Sequence, residues 1–153
     1  QGAYRIVDRS AEPEYLPGEN VVNVFATGAM VPEAINSSNS LLNEGLYLNV
    51  INVTGPGKLY SSYQKWSKGF GSLDQDKVFL PELLTTAERK APIVTVIDGH
   101  SHALSWIGSA IGSQCYPIGV NDFGQSGDIK DLYKEYGLDA DSISAICYGA
   151  LGL

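Results

Sequence analysis

The chain has 153 residues, 44% of them hydrophobic and 18% charged, the proportions of one globular domain around a single core. Its 10 basic and 17 acidic residues give a net charge of −7, which repels phosphate backbones and anionic membranes and excludes nucleic acid as an expected partner. No stretch approaches the roughly 20 apolar residues of a membrane span, and no signal-peptide pattern opens the chain.

Gly2–Val7 (GAYRIV) reads as an edge strand, antiparallel if it returns beside the others. Val21–Phe25 (VVNVF) follows as a buried strand. The stretch VPEAINSSNSLLNEG then places Val31, Ala34, Ile35, Leu41 and Leu42 on a 3.6-residue stripe, with Pro32 near the start and Gly45 after the end. Leu48–Val53 (LNVINV) is the next strand.

Residues 55–82 interrupt this rhythm. Gly55, Pro56, Gly57, Gly69 and Gly71 predict a long surface excursion. Its aromatics, Tyr60, Tyr63, Trp66 and Phe70, suit either an interface or a lid folded back on the core. Strand Ile93–Ile97 (IVTVI) leads into a helix over SHALSWIGSAIG, and strand Cys115–Val120 (CYPIGV) leads into GVNDFGQSGDIKDLYKEYGLD. There Ile129, Leu132, Tyr133 and Tyr136 form a helical stripe. A last helix carries Ile143, Ile146, Cys147 and Ala150, with Asp141 or Ser142 as its expected cap. Strand and helix alternate, which predicts an α/β, three-layer, Rossmann-like sandwich with four parallel strands and an antiparallel edge strand.

Few motifs in this frame carry chemistry. A G-x-G-x-x-G fingerprint, a Walker sequence and a G-x-S-x-G elbow are all absent. Thr27 and Gly28 turn the chain at the carboxyl end of a strand, the usual ligand-binding edge of such a sheet, but a purely structural turn is the simpler reading. Asp98, His100 and His102 stand at the end of the third buried strand, where a carboxylate near an imidazole can raise its basicity. They fall short of the three or four ligands of a zinc site, so helix capping or a subunit contact is the expectation for one histidine. Cys115 and Cys147 sit in apolar runs without metal spacing and read as buried reduced thiols of a reducing compartment. Asn36 and Asn52 open N-x-[ST] triplets inside predicted regular elements, which argues against glycosylation.

The glycine-rich stretch before the Ile129 helix has the form of a phosphate cradle. No basic group precedes Lys130, however, and Asp122 and Asp128 flank the glycines. Asp128 instead suits the helix N-terminus, leaving the glycines to turn the chain.

Asn121-Asp122-Phe123-Gly124-Gln125-Ser126-Gly127, followed by a short helix, a Gly and a final helix, resembles the closing signature of the transketolase superfamily. Asp122 stands where that family usually has Arg. GAYRI, ATGAMVPEA, LNVINVTGPGKLY and IVTVIDGHSHALSWIGS are in the family's order, so the resemblance covers nearly all of residues 1–153 as one transketolase-like carboxyl-terminal domain. NVTGPGKLY and DGHSHALSWIGSAIG are most similar to the homodimeric decarboxylating component of pyruvate dehydrogenase. A transketolase domain and a stand-alone, non-catalytic binding module of the same fold are the alternatives.

The resemblance implies a thiamine diphosphate- and magnesium-dependent 2-oxo acid dehydrogenase whose cofactor is held by two other domains. This domain would bind no cofactor or metal, would be inactive alone, and would serve dimerisation and docking. Its implied partners are the other domains of the enzyme, a second subunit and the lipoyl acyltransferase component. His100 and His102 are the candidates for a catalytic role. Asp122, Phe123, Gly124, Ser126, Gly127, Tyr60 and Trp66 are the interface or signature residues. The implied location is the cytoplasm, or the mitochondrial matrix in a eukaryote. A chain beginning at Gln1 rather than Met is expected to be a fragment of a longer protein or a processed product.

Overall fold

The computed structural model describes residues 2–68, 79–122 and 127–153. Phe70, Phe123, Gly124 and Ser126 therefore lie outside the described residues. The strands are β1 (Ala3–Val7), β2 (Val21–Ala26), β3 (Tyr47–Val53), β4 (Ile93–Val96) and β5 (Cys115–Ile118). They form a sheet in the order β1-β3-β2-β4-β5. β2, β3, β4 and β5 run parallel, and β1 pairs antiparallel with β3 at the edge. This is the α/β architecture expected from the alternation of patterns.

The helices in chain order are α1 (Met30–Leu42), α2 (Pro56–Lys68), α3 (Phe79–Glu82), α4 (His102–Ser105), α5 (Ile107–Ile111), α6 (Ile129–Glu135) and α7 (Ala140–Ala150). Strand parity decides which face each layer covers. Val22, Val24, Leu48, Val50, Val94 and Val96 point to the side of α1 and α7, where Ala34, Leu41, Ile143 and Cys147 meet them. Phe25, Ile51, Val53 and Ile93 point to the other side, against Leu59, Leu80, Leu104 and Ile107. Both faces are covered, so β2 and β4 are buried throughout and their sequences are apolar apart from Asn23 and Thr95. Each fully buried Val, Leu or Ile contributes about 1.5–3 kcal/mol.

Serines let α1 approach its neighbours closely. Ser38 donates to Leu48 O at 2.8 Å, and Ser37 Oγ lies 2.7 Å from Ser144 Oγ on α7. Gly45 ends the α1 turn with φ +73°, a conformation only glycine adopts at little cost.

Three local expectations need correction. The excursion after β3 opens as helix α2 rather than as a loop: Pro56 occupies its first position, where a missing N–H costs nothing, and Leu59 anchors it in the core. The helix after β4 is two short pieces that meet at Trp106. The cap of α7 is Asp139, whose carboxylate accepts from Ser142 N at 3.1 Å, not Asp141 or Ser142. Asp128 does occupy the N-cap position of α6 with extended backbone, but its side chain makes no capping hydrogen bond.

Candidate functional site

β2 and β4 are neighbours, and the chain leaves them toward opposite faces, into α1 and into α4. Their carboxyl ends flank the switch point where open α/β sheets hold ligands. Thr27 N donates to Val96 O at 3.2 Å, so the first turn is tied to the end of β4. Gly28 takes φ +56° with open space where a Cβ would stand.

The turns after β4 and β5 close on each other. Val120 N donates to Gly99 O at 2.8 Å, and Asn121 Oδ1 accepts from Ser101 N at 3.1 Å. A Cβ at Gly119 would lie 2.5 Å from Gly99 O and 2.6 Å from Ser101 N. Asn121 thus partners a free N–H at the start of α4, and Gly119 is required by close backbone approach.

His100 and His102 come together there, with ring centroids 4.3 Å apart, and both are exposed. His102 N donates to His100 Nδ1 at 3.2 Å, a local turn contact. Asp98 is exposed and makes no hydrogen bond with either imidazole, so the structure does not join the three into an acid–base pair. No group of three His, Cys, Asp or Glu side chains among the described residues could hold a metal ion. The turns 27–28, 98–101 and 119–122 contain no Lys or Arg and two exposed Asp, so these residues do not fit a diphosphate. Asp122 is exposed on this edge, and Gly127 is exposed just before α6.

The aromatic residues of α2 form a surface stack with Trp106. Tyr63 lies parallel to Trp106 at 5.4 Å and to Trp66 at 6.2 Å, while Tyr60 tilts against Trp106 at 5.3 Å. Trp106 is held by its own Nε1–H, which donates to Ala103 O at 2.9 Å. Tyr60 and Trp66 remain 41% and 48% exposed. The expected alternatives, interface or lid, meet halfway: the stack packs on α4 and still presents two rings to solvent.

A second constellation, missed in the sequence, lies at the opposite end of the sheet. The Glu88 carboxylate accepts from Arg5 Nη2 at 2.7 Å and Nη1 at 3.0 Å, from Tyr15 Oη at 2.6 Å and from Thr85 N at 2.8 Å. Asn49 Nδ2 donates to Tyr15 Oη and to Asn23 Oδ1, and Asn23 Nδ2 donates to Glu88 O. Arg9 joins through its backbone N–H to Asn49 Oδ1 and through Nε to Ser38. Burial alone would raise the Glu88 carboxyl, but Arg5, Tyr15 and Thr85 N–H outweigh it and hold it down at about 2. Tyr15 is pushed up from its ordinary value, first by burial and then by its bond to Glu88. A carboxylate so fully occupied has no capacity left for proton transfer, so this network staples residues 5–15 to the sheet.

A cleft of about 360 Å³ opens between the starts of α1, α6 and α7, lined by Glu33, Lys130, Lys134 and Asp139 among others. Glu33 already accepts from Ala140 N at 2.9 Å. Cys147 is buried and its thiol is pushed up to about 12 by desolvation, while Cys115 is half-buried; neither is in a disulfide. No helix among the described residues is long and apolar enough to cross a membrane.

A family model described as the transketolase-like TK C-terminal domain matches residues 2–139. A Methanocaldococcus jannaschii protein described as a transketolase C-terminal section is 27% identical over 130 residues, which is 83% of this chain and 35% of that one. Transketolase from Leishmania mexicana superposes with a TM-score of 0.67 at 20% identity, over 99% of this chain and 18% of its own. Transketolase from Campylobacter jejuni gives 0.63 at 22% identity, over 97% and 18%. A split-gene transketolase described as an inactive β4 tetramer gives 0.58 at 21% identity, over 89% and 40%. At these identities the superpositions show the fold. The chain spans about a third of the curated relative and under a fifth of the two whole transketolases. These relatives are transketolases, not pyruvate dehydrogenase components.

Proposed function

We propose, from the premise that the chain belongs to the transketolase-like C-terminal domain family, that it is the third domain of a thiamine diphosphate enzyme of transketolase type and acts by assembling with the enzyme's other sections. The carboxyl edge of its sheet is the observation that carries this reading. There the turns after β4 and β5 are locked together through Gly119, Gly99 and Ser101, and they offer neither a cation for a diphosphate nor an oriented acid–base pair. Such an edge suits a domain that shapes and supports a site built elsewhere.

The split-gene transketolase and the separate C-terminal section from Methanocaldococcus support a role as one part among several. On this reading the partners are the amino-terminal and middle sections and a second copy of the assembly. Thiamine diphosphate and magnesium belong to those sections.

A second reading, the carboxyl-terminal domain of a pyruvate dehydrogenase decarboxylating component that docks a lipoyl acyltransferase, is favoured by NVTGPGKLY and DGHSHALSWIGSAIG. One reconstitution separates the two. The chain is mixed with the remainder of the enzyme produced separately, thiamine diphosphate and magnesium are added, and ketol transfer between sugar phosphates is measured beside decarboxylation of pyruvate with an artificial electron acceptor. Ketol transfer that depends on the chain is the expected result; pyruvate decarboxylation instead selects the second reading. Full activity of the remainder without the chain, and no association with it, overturns the assembly role.

A further inference from the structure

We draw no further inference here: the strongest candidate, the surface patch on α2 where Tyr60, Tyr63 and Trp66 stack with Trp106 and leave Tyr60 and Trp66 exposed, is an unpartnered aromatic face, and nothing in the structure shows what covers it.

Discussion

Arg5 and Glu88, 83 residues apart, meet in a two-pronged ion pair: Nη1 and Nη2 of Arg5 donate to the two carboxylate oxygens of Glu88 at 3.0 and 2.7 Å. The Glu88 side chain is 2% exposed and that of Arg5 is 17% exposed, so each charge depends on the other. Replacing Glu88 with Ala removes the acceptor for Arg5, Tyr15 and Thr85 N–H at once. The expected loss is about 3–5 kcal/mol, read as a lower urea midpoint with little change in the denaturant slope.

The same carboxylate sets a pH dependence. Glu88 is held down at about 2, below its ordinary 4.5, so the native state binds its proton less readily than the unfolded chain. Its contribution is complete above about pH 4.5 and is lost as pH falls toward 2, amounting to roughly 3 kcal/mol at most. Urea titrations between pH 6 and pH 2.5 should show a steeper fall for the wild type than for Glu88→Gln. Parallel curves would remove Glu88 as the cause.

Gly119 and Gly28 predict opposite responses to alanine. At Gly119 the added Cβ meets Gly99 O and the Ser101 backbone at 2.5–2.8 Å, so the two turns have to separate, at about 1–3 kcal/mol. The Asn121 bond to Ser101 N should weaken with them. At Gly28 there is space and the cost is the left-handed backbone alone, about 1–2 kcal/mol. Amide exchange distinguishes the two: faster exchange at Ser101 is expected for Gly119→Ala and not for Gly28→Ala.

Cys147 is fully buried in the core beneath α7, and desolvation raises its thiol to about 12. Native protein at pH 8 should leave Cys147 unmodified by an aromatic disulfide reagent until urea unfolds the chain. Cys115, half-buried and also raised by burial, should react slowly and before unfolding. Modification of both at equal rates would contradict the packing of α7 on the sheet.

Much of the sheet was legible because burial on both faces restricts local composition. Val21–Ala26 and Ile93–Val96 are apolar except for Asn23 and Thr95 because helices cover each side. Helix α2 was not legible. Gly55, Pro56 and Gly57 resemble a loop, and only Pro56 at the first helical position and the Leu59 and Tyr63 spacing hinted otherwise. Trp106 arrives from a distant segment to pack against its rings. The break at Trp106 was equally hidden, since the stripe of Leu104, Ile107 and Ile111 is the same in one helix or two.

The sequence by itself determined the architecture, because strand and helix patterns record which faces are covered. It also determined the family, through the order of its glycine-rich turns. The tertiary structure decided which polar groups meet. Arg5, Tyr15, Asn23, Asn49 and Glu88 carry no mutual signal in sequence, since a hydrogen bond is set by position within a few tenths of an ångström and not by residue type. It decided in the same way that His100 and His102 lie exposed without Asp98, and that Trp106 completes the aromatic stack of α2.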